Sequence, residues 1–193
     1  MKAEGPPKLR ADARRNRETI LSAASEAFAE DGPAVPVDEI ARRAGVGAGT
    51  LYRHFPTKEA LFAAVLEAHM ARLVERAAEL AERDDADVAL CEFVSCLGAE
   101  AASKKSLIEA LAGSGIEIDH HPMEAKRALE EGFSRLLSRA QATGRIRSDV
   151  TVHELFYLVM GTCPVANHAA GDAAQARMLS IVCDGLRVDD AHA

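Results

Sequence analysis

The sequence predicts an all-α fold of about nine helices, a short three-helix unit followed by a larger helical bundle. Three observations carry this. Apolar residues recur at three- and four-residue spacing along most of the chain, as helices buried on one face require, and nowhere alternate as strands do. Of 193 residues 48% are hydrophobic but only 4% aromatic, with no Trp, so the core draws on Ala, Leu, Val and Ile. That composition favours helix over sheet. Gly-, Asp- and Pro-containing turn signals then divide the pattern into segments of helical length.

Residues 1–10, rich in Pro, Gly and Lys, read as a disordered basic arm. From about Ala11 a helix begins, with Ile20, Leu21, Ala24, Ala27 and Phe28 on its apolar face, and Asp31-Gly32-Pro33 stops it. A second helix, Val37 to Ala44, has Pro36 at its start and Asp38 and Glu39 near its positive N-terminus. Gly45 follows where a left-handed cap is usual. A third short helix runs from about Ala48 to His54, Pro56 breaks it, and Thr57 caps a fourth. The fourth keeps an apolar stripe through Leu61, Val65, Ala68, Leu73, Ala77 and Leu80, so its first turns serve the first domain and its later turns the second. Further helices are expected at about 86–103, 105–112, 122–142, 151–168 and 173–186. The domains are accordingly 11–58 and 59–188, with 189–193 a disordered tail.

Charge is divided unevenly. The chain carries −7 overall, yet residues 1–58 hold ten Lys and Arg against eight Asp and Glu, while the remainder is strongly acidic. The first part can accept a phosphate backbone and the second repels it. No run of 18 apolar residues suggests a membrane span, and the N-terminus lacks the apolar stretch of a signal peptide. A cytoplasmic protein is expected. Cys91, Cys96, Cys163 and Cys183 show no C-x-x-C spacing and read as small buried hydrophobes of a reducing compartment. A redox sensor would need an exposed thiol beside a resolving partner, and the five-residue spacing of Cys91 and Cys96 puts those two on different helix faces.

Residues 37–55 have the parts of a helix-turn-helix: two short helices, a Gly-containing turn, and a second helix with small or polar outward positions. Leu51 and Phe55 face inward, and Gly49 and Arg53 lie near the opposite pole with Thr50 and Tyr52 on the flanks. Gly47, Ala48 and Gly49 allow close approach of backbone to DNA. Arg53 can grip a guanine edge in bidentate fashion or clamp a phosphate. Thr50 and Tyr52 offer hydroxyls to phosphate oxygens, and Lys58 with the open N–H groups of the fourth helix makes an anion site. His54 is open between a phosphate contact and packing beside the turn.

The run Gly45-Val46-Gly47-Ala48-Gly49-Thr50-Leu51-Tyr52-Arg53-His54-Phe55-Pro56-Thr57-Lys58-Glu59 resembles the signature of the tetracycline-repressor (TetR) family, and Val37-Asp38-Glu39-Ile40-Ala41 resembles that family's first motif helix. The likeness covers about residues 12–65. It implies phosphate contacts at Thr50, Tyr52 and Lys58, and groove-facing positions at Ala48, Gly49 and Arg53. Two departures stand out: Pro36 and Gly47-Ala48 replace the hydroxyl-bearing or longer residues frequent in the family, which leaves more of the readout to Arg53 and the basic arm. That arm and the start of the first helix carry Lys8, Arg10, Arg14, Arg15 and Arg17, open between minor-groove or backbone contact and a solvated tail.

The resemblance further implies a C-terminal domain that binds a small-molecule inducer, apolar or amphipathic. Met70, Leu73, Phe93, Leu107, Leu111, Met123, Phe133, Leu137, Phe156 and Met160 are candidate lining residues, open between pocket and ordinary bundle core. The apolar runs Leu155–Met160 and Met178–Val182 fill more than one helix face, so both helices should be buried on two sides, and in the family they pair across a two-fold axis. The expected partners are therefore a double-stranded DNA operator, an inducer and a second copy of the chain, with no membrane. No cofactor and no metal are expected.

Other motifs fail on inspection. Gly45-x-Gly47-x-Gly49 follows a helix where a dinucleotide site needs a strand. Ala112-Gly113-Ser114-Gly115 does not complete a nucleophile elbow. Glu117, Asp119, His120 and His121 read as a solvated loop before a metal site. No nucleophile–base set points to an enzyme. A sensor that has lost DNA recognition is the other alternative, which Pro36, Gly47 and Ala48 allow. The expected function is a repressor that holds a palindromic operator as a dimer and is released by its inducer.

Overall fold

The structure, a computed structural model, describes residues 7–32, 34–112, 123–165 and 171–188; the side chains of 7–11, 103–112, 123 and 165 lie outside that description. The elements in order are α1 (Pro7–Asp31), α2 (Val37–Arg43), α3 (Ala48–His54), α4 (Lys58–Ala81), α5 (Ala86–Ala112), α6 (Met123–Ala142), α7 (Val152–Thr162), a 3-10 turn (Cys163–Val165) and α8 (Gly171–Leu186). The fold is all-α, and no described helix is long and apolar enough to cross a membrane.

Two boundaries differ from the sequence expectation. Helix α1 begins at Pro7, four residues before the start expected at about Ala11. Proline is tolerated at a first helical position, and Lys8, Leu9, Arg10 and Ala11 are good helix formers that let the helix extend backwards. Residues 86–112 form one helix rather than two, so eight α-helices replace the expected nine among the described residues. Ser103-Lys104-Lys105 is polar but contains neither Gly nor Pro to break the backbone pattern. The tail at 189–193 lies outside the described residues.

The chain divides into two compact units, one within Met1–Ala68 and Leu107–Asp119, the other within His69–Ser106 and His120–Ala193. The division therefore falls inside α4. In the first unit, Ile20, Ala24, Ala27 and Phe28 of α1 meet Ile40 of α2, Leu51 of α3 and Leu61 and Phe62 of α4 in one buried cluster. Phe28 and Phe62 pack with ring centroids 5.1 Å apart, inclined by 48°. Outside this core, Arg43 joins α2 to the end of α1 through Glu30 at 2.8 Å and Asp31, and also bonds Glu39 at 3.0 Å. Arg42 bonds the same Glu39 at 2.7 Å. These two guanidinium groups hold the Glu39 carboxyl at a pKa of about 2.

The second unit has its own core. It gathers Ala77 and Leu80 of α4, Leu90, Phe93 and Leu97 of α5, Phe133, Leu136 and Leu137 of α6, Leu155 and Val159 of α7, and Leu179 and Leu186 of α8. Phe93 and Phe133 lie 5.2 Å apart by ring centroids. Helix α7 opens on a capping box: Glu154 N–H donates to the Thr151 hydroxyl at 3.3 Å, and Thr151 N–H donates to the Glu154 carboxylate at 2.8 Å. Helices α5 and α8 approach closely at Gly98, where a Cβ would stand 2.6 Å from Leu179 Cδ1. Beside this contact the buried Gln175 amide donates to the Gly98 carbonyl at 2.9 Å and to Thr162 Oγ1 at 3.3 Å. The segment that closes α8 is pinned to the loop after α6 by an antiparallel bridge, with Arg147 N–H to Leu186 O and Val188 N–H to Arg145 O, both 2.9 Å.

Candidate nucleic-acid interface

The turn between α2 and α3 is set by its glycine. Gly45 has φ of 66°, the left-handed region that a side chain resists. Gly45 N–H donates to Arg42 O at 3.1 Å and Val46 N–H to Ala41 O at 3.0 Å, the paired bonds of a Schellman cap. Half-buried Val46 then packs against the core of its unit, which anchors the turn from below. Pro36 is the residue before α2 rather than in its first turn, and Gly47 holds the same place for α3. Neither contributes a side-chain cap. The hydroxyls missing from the sequence pattern are thus missing from both helix starts.

Helix α3 is held by Leu51, 1% exposed, and by Phe55 at its C-cap, whose N–H donates to Leu51 O at 2.8 Å. With those residues inward, Gly47, Gly49, Tyr52 and Arg53 face solvent, while Ala48, Thr50 and His54 are half-buried. Tyr52 is 47% exposed although it is a large aromatic. Thr50, Tyr52 and Arg53 make no side-chain hydrogen bond or ion pair among the described residues, so their donors are available to a ligand. The His54 ring lies 6.2 Å from that of Phe55 by centroids, beside the turn.

Lys58 is placed differently from a free phosphate clamp. Its Nζ donates to Val35 O at 2.7 Å, which ties the start of α4 to the loop before α2. Burial holds this ammonium below the ordinary lysine range. One of its three donors is used, and two remain. The N-terminus of α4 is also partly occupied: Thr57 Oγ1 accepts from Ala60 N–H at 3.1 Å. Hydrogen bonds from its own N–H and from Thr57 hold the Glu59 carboxyl below its usual range. The anion site expected there thus carries its own carboxylate.

The Arg17 guanidinium lies 5.4 Å from the centre of the Phe55 ring, so a residue assigned to the arm packs on the end of α3. Phe55 lies 38 positions away, and no spacing rule connects them. Arg14, Arg15 and Arg17 are all exposed on α1, and among the described residues the ion pairs of Arg14 and Arg15 are long, to Glu18 at 3.7 Å and to Asp12 at 3.9 Å.

The residues proposed as an inducer pocket separate into three groups. Met70, Leu73, Phe93, Phe133 and Leu137 are buried in the second unit's core, with Met160 partly buried against it. Phe156 departs from the expectation: it is 38% exposed, because Leu155 and Val159 occupy the inward face of α7. The side chains of Leu107, Leu111 and Met123 lie outside the described residues, as does the loop with Glu117, Asp119, His120 and His121. No group of three His, Cys, Asp or Glu among the described residues could hold a metal ion.

A buried scaffold that presents a short helix whose polar donors are unpaired among the described residues defines the first unit as a DNA-binding helix-turn-helix. Known proteins agree. Residues 20–65 match the model of the tetR family of bacterial regulatory proteins, and residues 85–188, more than half the chain, match that of the SbtR-like transcriptional regulator C-terminal domain. The solved TetR regulatory protein of Mycobacterium vanbaalenii is 40% identical, with 93% of this chain and 99% of that one covered and a TM-score of 0.76. A TetR regulator of Streptomyces coelicolor is 32% identical, covering 89% and 98%, with a TM-score of 0.78. The transcriptional activator FasR of Mycolicibacterium smegmatis is 47% identical over 68 residues, 35% of this chain and 30% of that protein. The chain belongs to the TetR family of transcriptional regulators, DNA-binding proteins rather than enzymes.

Proposed function

We propose that this protein is a ligand-responsive repressor that occupies a palindromic operator as a homodimer and leaves it when a small apolar or amphipathic molecule binds the C-terminal bundle. The observation that carries the DNA half is the α3 surface, where Tyr52 and Arg53 are exposed and, among the described residues, unpaired above a fully buried Leu51. Arg53 is the base reader in this scheme, Thr50 and Tyr52 hold phosphates, and Gly47, Ala48 and Gly49 let the backbone approach. His54 and Lys58 flank the contact, Lys58 with its two remaining donors. Arg17 and the exposed arginines of α1 add backbone contacts beside them.

The dimer is supported by an apolar face that α7 and α8 leave in solvent. Tyr157 is 71% exposed, Leu158 51% and Ile181 56%, with Phe156 and Met178 also exposed. The expected second buried face of these helices is open in the single chain, and a second copy would cover it. The inducer site is proposed in the second unit around Met70, Leu73, Phe93, Phe133, Leu137 and Met160, with Leu107, Leu111 and Met123 as further candidates. Helix α4, which runs through both units, is the transmitter in this scheme, and coupling of about 1–3 kcal/mol would alter operator affinity roughly 5- to 150-fold.

FasR is named an activator, which favours activation as the second reading. Selection of bound duplexes from a random pool, with and without small-molecule libraries, tests the proposal. A palindromic consensus lost on addition of a ligand supports it, and binding without sequence preference refutes it. Transcription from a promoter carrying the consensus then separates repression from activation by its direction.

A further inference from the structure

The fold brings together two thiols that lie 92 positions apart in sequence. Cys183 on α8 donates from Sγ to the carbonyl oxygen of Cys91 on α5 at 3.9 Å. Cys183 is buried in the core, whereas Cys91 is half-buried against it. The helices that carry them are held at close range two turns further along, where Gly98 admits Leu179 and Gln175 bonds the α5 backbone. The pair sits on the core side of α8, away from the exposed Met178 and Ile181.

The chemistry around the pair is unequal. The adjacent Cys183 thiol, with the charge of Arg187, holds the Cys91 thiol below its ordinary range against burial and the carboxylates of Asp87 and Asp184. The neighbouring Cys91, with burial, pushes the Cys183 thiol up. Cys91 is thus the thiol suited to attack first, and the influence of Cys91 that raises Cys183 disappears once Cys91 is a neutral sulfenic acid, which leaves the adjacent Cys183 to resolve it. Neither cysteine was paired in the sequence, where only Cys91 and Cys96 are near neighbours.

We infer that Cys91 and Cys183 form a peroxide-sensitive dithiol that closes into an intrachain disulfide between α5 and α8. In the first step the Cys91 thiolate attacks one oxygen of hydrogen peroxide. The O–O bond breaks, the departing hydroxide takes a proton to become water, and Cys91 becomes a sulfenic acid. In the second step Cys183 loses its proton and attacks the Cys91 sulfur. The S–O bond breaks, a second water leaves, and the disulfide forms. Sulfur is oxidised and peroxide oxygen reduced, and a dithiol reductant reverses the change.

The test uses the full-length protein treated with a small molar excess of hydrogen peroxide, then alkylated under denaturing conditions and mapped without reduction. The expected result is the loss of two of the four thiols, a cross-linked peptide joining Cys91 to Cys183, and full recovery with dithiothreitol. In Cys183→Ser, a dimedone probe should label Cys91 as the trapped sulfenic acid, and a Cys96→Ser/Cys163→Ser double variant should still close the bridge. A bridge that uses Cys96 or Cys163, a bridge between chains, or four intact thiols would overturn the inference. The wild-type peptide map decides the matter even if Cys183→Ser does not fold.

Discussion

Replacing Arg53 with Ala separates DNA recognition from folding in one experiment. The Arg53 side chain is exposed and makes no bond within the described residues, so its removal should alter stability by no more than about 0.5 kcal/mol. For a chain of this size that is a shift in Tm of about 2 °C or less. A bidentate arginine–guanine contact is worth about 1–3 kcal/mol, so each half-site should lose roughly 5- to 150-fold in affinity. On a symmetric operator the two losses add. Fluorescence anisotropy on the selected duplex, on its single-base variants and over a salt series gives all the terms. Loss of preference at one base pair, with the salt slope unchanged, identifies Arg53 as a base reader. A slope shallower by about 0.9 per contact, with base preference kept, makes it a phosphate clamp instead. Unchanged binding would refute the docking of α3 in the major groove. Lys58→Met is the counterpart, because it deletes the 2.7 Å bond to Val35 O. It should cost about 1–2 kcal/mol of stability and weaken all duplex sequences in parallel. If it shifts neither, the clamp between the loop and α4 has no energetic weight.

Three further outcomes are expected. A Tyr157→Asp/Ile181→Asp double variant places two charges on the exposed α7–α8 face and should sediment as a folded monomer with helical circular dichroism intact; a persisting dimer would show that another surface is used. Gly98→Ala and Leu179→Ala should be strongly coupled, because the new methyl would meet Leu179 Cδ1 at 2.6 Å; the double variant should be more stable than the sum of the singles by about 1–3 kcal/mol, and strict additivity in urea denaturation would contradict the close approach. Acidification should weaken the first unit as Glu39 takes up its proton. Its folded pKa of about 2 lies below the ordinary carboxylate value, so its contribution is complete above about pH 5 and disappears as pH falls towards 2. Glu39→Gln should flatten that acid limb in thermal melts, and an unchanged pH profile would rule out the cluster with Arg42 and Arg43.

The family-bearing run from Gly45 to Glu59 was legible because local chemistry dictates it. Gly45 must adopt a left-handed conformation, Pro56 must end a helix, and Leu51 and Phe55 at four-residue spacing must share the buried face. Each is a constraint within a few residues, so the sequence alone determined the all-α class, the helix-turn-helix and its outward positions. Breaks were harder to read than helices. Polar Ser103-Lys104-Lys105 did not end α5, and Pro7 did not delay α1, because polarity and a first-turn proline are compatible with helix. Tertiary structure alone decided whatever joins residues far apart in sequence: Arg17 on the Phe55 ring, Lys58 on the Val35 carbonyl, Leu179 against Gly98, and Cys183 beside Cys91. It also turned Phe156 outward, because only the packed bundle determines which of two apolar faces on α7 is filled from within the same chain. Periodicity shows that a helix has a face to bury, but the neighbour that buries it is set by how the chain closes on itself in space.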